Sequence, residues 1–292
     1  MTRARDKILV LGGSGLLGST LLSGRYFQSF DYVVQGRHCG AQYKADLLDA
    51  EQVRLMIQSV RPNVIINLVG LTSVDTCELF PNEAYKVNVR TVEVLVDAIS
   101  SLSPRPYLIH VSTDQVYDGA GAALEHEIKL TNYYAFSKYA SELIACTTKS
   151  IVLRTNFFGK SFSKDRSSIT DWLHKEICLN RSISVIEDIF FSPLSIDSLC
   201  RIIEKIIISR AEGIFNIGSH DGISKADFAY NFIECLGLPT SAMVRRTRGD
   251  IKSLIAYRPS DMRLDVSKFE NTFRIGLPTL KDEIRTVAGE YK

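Results

Sequence analysis

The chain has 292 residues, 45% hydrophobic and 23% charged, with a formal net charge of +2. That composition suits a folded protein with a large core and room for a second lobe. A charge so close to neutral argues against a surface built for nucleic acid or for a membrane. The richest apolar runs, Val64 to Leu71 and Ile202 to Ile208, are interrupted by Asn67, Glu204 and Lys205 and fall short of a membrane span. The basic stretch Thr2 to Lys7 runs straight into an apolar strand and reads as a solvated terminus, not a signal peptide. Cys39, Cys77, Cys146, Cys178, Cys200 and Cys235 show no paired spacing and the five histidines no ligand cluster. Free thiols in a reducing cytoplasm, without a transition-metal site, are expected.

In chain order, Ile8 to Leu11 reads as a buried strand, and a glycine-rich turn then opens a helix through Leu22. Tyr32 to Gln35 is a second strand. Asp49-Ala50-Glu51-Gln52 has the form of a capping box. It leads into Val53, Met56, Ile57 and Val60 on one helical face, and Arg61-Pro62-Asn63 stops that helix. Val64 to Leu68 is a strand and Asn82 to Ile99 a helix with Ala84, Val87, Val94, Leu95 and Ala98 near one stripe. Tyr107 to Val111 is a strand, Tyr134 to Thr147 a helix, and Ile151 to Arg154 a strand. Strands alternating with helices predict an α/β fold, a Rossmann-type doubly wound parallel sheet covered on both faces, with ligands at the carboxyl ends of its strands.

Beyond Arg154 the pattern is less regular. Ser163 to Ser168 reads as a loop, Asp171 to Leu179 as a helix and Ile183 to Ile186 as a short strand. Ile196, Leu199, Cys200, Ile203 and Ile207 form a helical stripe. Gly213 to Ile217 reads as a strand returning to the main sheet, and Ser224 to Leu236 as a helix. The expected division is a cofactor-binding Rossmann domain over 1–156 and 190–218, with a smaller, largely carboxyl-terminal substrate lobe over 157–189 and 219–292.

Gly12-Gly13-Ser14-Gly15-Leu16-Leu17-Gly18 follows a strand and opens a helix. Gly12 permits the tight turn, Gly15 lets backbone amides approach a pyrophosphate and Gly18 allows close helix packing. The second strand ends in Gln35-Gly36-Arg37-His38, where an NAD enzyme would carry a carboxylate. Arg37 is suited to a 2′-phosphate, so NADP(H) is favoured over NAD(H). Asp46, with Leu47 behind it, either reaches the adenine or caps its own turn.

Tyr134 and Lys138 stand four residues apart and share a helical face. An adjacent cation favours the phenolate, which fits a tyrosine for proton transfer near neutral pH. Thr113, in Ser112-Thr113-Asp114, can donate to a carbonyl oxygen. Together these residues point to hydride chemistry at a carbonyl or alcohol. Asn88, on an apolar stripe, either bonds backbone near Ser112 or ties two elements together. Arg258 is suited to a substrate phosphate or to solvent. Trp172 is expected to pack in the core or the lobe.

These motifs resemble the extended short-chain dehydrogenase/reductases, most closely the dTDP-4-dehydrorhamnose reductase branch. The resemblance is carried by the glycine turn, Arg61-Pro62-Asn63-Val64-Ile65-Ile66-Asn67, Val87-Asn88, Ser112 to Gly119 and Tyr134 to Lys138. It continues in Leu153-Arg154-Thr155, Glu187-Asp188 with Ser192-Pro193, Gly213 to Gly218, Arg258-Pro259 and Arg263-Leu264-Asp265. It implies NADPH-dependent reduction of a nucleotide-diphospho-4-keto-6-deoxy sugar. By that pattern Tyr134 protonates the alkoxide, Lys138 holds the nicotinamide ribose and Thr113 polarises the carbonyl. Gly12, Ser14, Gly15, Leu16, Leu17, Gly18, Arg37, Asp46, Leu47, Val69 and Gly70 would meet the cofactor. Asp114, Tyr117 and Asn156 would line the sugar pocket, and Arg258 would approach the diphosphate.

Related dehydratases carry Asp-Glu after the threonine; here the pair is Asp114-Gln115, and glutamine takes no proton. The chain also departs from the branch at Leu68-Val69-Gly70, at Ile189 and Phe191, at Ala135 and just before the tyrosine segment, at Leu130 and Thr131. An NAD-dependent sugar-nucleotide 4-epimerase is one alternative. A non-catalytic NADP-binding regulatory subunit, like that of methionine adenosyltransferase, is the other. A nucleotide-sugar partner, a homodimer, and neither nucleic acid nor membrane complete the expectation.

Overall fold

The computed structural model describes residues 6–36 and 41–292. The apolar runs of the amino-terminal half become strands β1 (Lys7–Leu11), β2 (Asp31–Gly36), β3 (Tyr43–Lys44), β4 (Val64–Asn67), β5 (Tyr107–Val111) and β6 (Ser150–Thr155). With the edge strand Gly213–Ile217 they make a seven-stranded sheet. From that edge the order is β6, β5, β4, β1, β2, β3. Registered pairs from β3 through β6 are parallel. The order reverses beside β1, whose neighbours are β2 and β4. In parallel sheets such a reversal opens a crevice at the strands' carboxyl ends. The glycine turn begins there, one residue after Leu11.

Helices α1 (Leu16–Leu21), α2 (Ala50–Val60), α3 (Val74–Leu79), α4 (Pro81–Ala84), α5 (Thr91–Ser100) and α6 (Tyr133–Ala145) follow in the first half. The expected face of α2, Val53, Met56, Ile57 and Val60, is buried throughout. Each such side chain contributes roughly 1.5–3 kcal/mol by leaving water. Asp49 caps α2 through the amides of Glu51 and Gln52. The reciprocal arm goes elsewhere: Gln52 Nε2 donates to Asp49, while its Oε1 accepts from the amide of Asp46.

The expected single helix from Asn82 to Ile99 is interrupted. A π-helical stretch, Tyr85–Arg90, separates α4 from α5. A π turn holds one extra residue and shifts the helical phase. Asn88 and Val89 are buried there, while Val87 and Ala98 are only partly covered.

The chain divides into two compact units. The first takes the chain up to Ser112, Tyr133–Leu153 and Cys200–Ile214; the second takes Thr113–Asn132, Arg154–Leu199 and Phe215–Lys292. The core of the first joins Leu9, Leu11, Ile65, Leu108 and Val152 of the sheet to the inward faces of α2 and α5.

The second unit contains α7 (Ile169–Cys178), then α9 (Lys225–Leu236), α10 (Ser267–Phe273) and α11 (Leu280–Gly289); α8 (Ile196–Ser209) begins in it and ends in the first. Its core joins Leu173, Phe228, Phe232, Leu280 and Ile284. Phe158 and Phe191 meet Phe228 edge to face, at 4.8 and 5.3 Å between ring centres. Trp172 is not part of this core. It is 41% exposed because the buried stripe of α7 runs through Leu173 and Ile177 instead. The short strand Ile183–Ile186 pairs in parallel with Met243–Arg246, a strand the basic sequence around it concealed.

Candidate active site

In the first unit the glycine turn closes through a bond from the amide of Gly15 to the carbonyl of Gly12, at 3.1 Å. Gly12 has φ +82°, a conformation that side chains resist. A Cβ on Gly18 would lie 2.6 Å from the Gly12 carbonyl and 2.7 Å from Gly13 Cα. The turn and α1 therefore approach as only glycine allows, which fits a backbone cradle for a pyrophosphate.

Around it, Leu47 is buried in the first core and Val69 packs against that core. A Cβ on Gly70 would touch the Asn88 side chain at 3.4 Å. Asp46 caps its own turn, with Oδ1 accepting from the amide of Leu48 at 3.0 Å. Gln35 is also buried and donates to the carbonyl of Ala45 at 2.7 Å. Arg37 lies outside the described residues.

Asn67 closes β4 and anchors a buried polar chain. Its Oδ1 accepts from the amide of Val69 at 3.1 Å, which turns its Nδ2 toward His110 Nδ1 at 3.2 Å. The histidine proton then sits on Nε2, 3.0 Å from Ser141 Oγ. Ser141 in turn donates to the carbonyl of Lys138 at 2.6 Å. Burial, reinforced by the charge of Lys138, holds His110 well below its ordinary pKa, so the ring is neutral.

Tyr134 and Lys138 both lie on the buried side of α6. Lys138 Nζ donates to the carbonyl of Val111, the last residue of β5, at 2.8 Å. Burial lowers its pKa to about 8, and Glu142 raises it against that trend. Asn88 does not bond near Ser112. Its Oδ1 accepts from the amide of Leu71 at 2.7 Å, and its Nδ2 donates to the Leu71 carbonyl and to Ser137 Oγ. The π turn aims it at these partners, so it ties the segment after β4 to α6.

In the second unit, Thr113 donates to Asp114 Oδ1 at 3.2 Å and its hydroxyl caps the short turn that follows. Asn156 donates to Asp114 Oδ2 at 2.7 Å. Burial raises the Asp114 pKa to about 6, opposed by the Asn156 bond and by the charge of Lys225. Tyr117 is fully buried; its hydroxyl donates to Asn216 and accepts from Arg154. Arg258 donates to the carbonyl of Ala256 at 2.9 Å. Ile189 and Phe191 belong to the second core.

Sequence reasoning missed Lys225. Burial lowers its pKa, Asp114 raises it and Arg258 lowers it again. The signal available was its place directly after Ser224, the cap of α9. Also missed were His110, Ser141 and Glu142, whose polar character inside apolar patterns was the available sign.

The family described as the RmlD substrate binding domain matches residues 6–292. A dTDP-4-dehydrorhamnose reductase of Aggregatibacter actinomycetemcomitans is 31% identical, covering 92% of this chain and 94% of that protein. Methionine adenosyltransferase 2 subunit beta of Danio rerio is 24% identical over 90% of this chain and 84% of its own length. A dTDP-4-dehydrorhamnose reductase of Bacillus anthracis, solved in complex with NADP, superposes with a TM-score of 0.88 at 21% identity, covering 98% of this chain and 99% of that one.

Proposed function

We propose that this chain, which belongs to the RmlD substrate binding domain family, is an NADPH-dependent reductase of a nucleotide-diphospho-4-keto-6-deoxy sugar. The observation that carries the reading is the buried Tyr134–Lys138 face of α6, with the ammonium held on the last carbonyl of β5. The relatives named as reductases support it, and so does Gln115 in place of a second acid. The first unit is assigned to the cofactor and the second to the sugar nucleotide, in a reducing cytoplasm and as a homodimer.

When bound, the nicotinamide supplies hydride to the keto carbon. Tyr134 gives its phenolic proton to the oxygen that becomes alkoxide, and the Lys138 ammonium steadies the phenolate left behind. Lys138 also holds the ribose hydroxyls. Thr113 donates its one hydroxyl proton to the same carbonyl oxygen, releasing the bond to Asp114 to do so. The turn from Gly12 through Ser14, Gly15, Leu16 and Leu17 to Gly18 binds the pyrophosphate, and Arg37 takes the 2′-phosphate. Leu47, Val69 and Gly70 back the cofactor, with Asp46 bracing the turn before Leu47. Asp114 and Asn156 meet the sugar and Arg258 meets the diphosphate; Tyr117, expected beside them in the sugar pocket, is fully buried and bonded to Asn216 and Arg154.

The test is NADPH absorbance on adding dTDP-4-keto-6-deoxy sugar. Tyr134→Phe is expected to lower turnover roughly 10²–10⁴-fold; near-normal turnover removes the residue from the mechanism. NADP binding without consumption of NADPH by any keto sugar would instead favour a regulatory subunit.

A further inference from the structure

Helix α6 buries a cation and an anion one turn apart. Lys138 is 4% exposed and Glu142 fully buried. The two grip adjacent residues of the chain. Lys138 Nζ takes the carbonyl of Val111, and the hydroxyl of Ser112 donates to Glu142 Oε1. The segment they hold runs directly into Thr113.

A buried ammonium sheds its proton readily unless a negative charge stands near it. The other ionisable groups around α6 are neutral, paired or open to solvent. On β5, His110 is neutral and Tyr107 bonds the carbonyl of Ala211. On α3, burial pushes the Cys77 thiol up to about 11, Glu78 accepts from the amide of Tyr133 at the start of α6, and Asp75 is partly in solvent. Glu83 of α4 pairs with Lys86, and Arg90 and Tyr85 with Glu93, at the surface. Asp97 of α5 is exposed, and Tyr139 of α6 itself is partly so. The carboxylate whose charge raises Lys138 is that of Glu142.

We propose that Glu142 is a positioning residue for the reduction: its buried carboxylate keeps Lys138 charged and fastens α6 to the end of β5, so that the ammonium stays available to Tyr134. This deepens the function proposed above and rests on it.

The test uses the full chain labelled with carbon-13 at lysine Cε and titrated with pH, the Lys138 resonance being assigned by its loss in Lys138→Met. Glu142→Gln keeps the volume and an acceptor for Ser112 but removes the charge. It is expected to lower the Lys138 midpoint by about one pH unit or more and to move the alkaline limb of kcat/KM the same way. Ser112→Ala removes the hydrogen bond but keeps the charge, and is expected to leave the midpoint near that of the wild type. Glu142→Asp, which also keeps the charge, is expected within about half a pH unit of the wild type; it carries the test if the glutamine variant does not fold. An unchanged midpoint in Glu142→Gln, an equal fall in Ser112→Ala, or a larger fall in Glu142→Asp would each overturn the proposal. The titration needs no substrate. A wild-type chain that leaves NADPH untouched with keto sugars therefore sinks the functional reading while this one is still decided.

Discussion

Asp114 has an ionisation cost that can be measured apart from catalysis. Its carboxyl ordinarily titrates at 3.8 and is raised to about 6 by burial. A raised acid favours the folded state below pH 3.8, and that advantage is lost as pH rises through 6. About two pH units at 1.36 kcal/mol each make ~3 kcal/mol. Asp114→Asn is therefore expected to stabilise the chain by up to that amount at pH 7.5 and to change little at pH 3.5, read from urea midpoints at both. Equal effects at the two pH values would mean that packing, not charge, decides. A second residue-scale expectation concerns cofactor choice. Arg37→Ala is expected to weaken NADPH far more than NADH, measured by fluorescence titration; equal weakening would separate Arg37 from the 2′-phosphate.

At the scale of elements, the π turn and the glycine turn are the two devices that place side chains. Asn88 satisfies both backbone groups of Leu71 as well as Ser137. Asn88→Ala strands those groups and is expected to cost about 1–3 kcal/mol in urea unfolding, with an unchanged m value. Gly18→Ala drives a methyl group into the Gly12 carbonyl. The turn must open to admit it, so NADPH affinity is expected to fall; unchanged affinity would detach the turn from the cofactor. The strands β1, β4, β5 and β6 were legible because three or four apolar residues in a row, bounded by turn signals or polar residues, leave few alternatives. The π turn was not legible, because one added residue alters helical phase without altering composition.

At the scale of the molecule, the first core follows from the sequence better than the second. Its sheet is built from contiguous runs, and the helices on it carry clear stripes. The second unit relies on two-residue strands, Phe157–Phe158 with Leu194–Ser195 and Phe190–Phe191 with Ile223–Ser224, too short for any periodicity to show. Its buried polar contacts join distant positions, such as Arg154 with Tyr117 and Asn156 with Asp114. Tyr134 and Lys138 were visible because helical spacing is local, whereas the bond between Ser112 and Glu142 spans 30 positions. If the first unit holds the cofactor, NADPH at 100 times its Kd is expected to stabilise the protein by about 2.7 kcal/mol. Amide exchange should then slow first along β1, β4 and α6. Protection confined to the second unit would reverse the assignment.

The path of the backbone has a genetic corollary. Because each unit is assembled from three separate stretches, no single crossover between genes can transplant one without mutilating the other. A truncation after Leu199 strips Cys200–Ile214 from the first unit and Phe215–Lys292 from the second. Substrate range in such a chain can therefore diversify by point replacement within the interleaved pieces, but not by swapping a module whole.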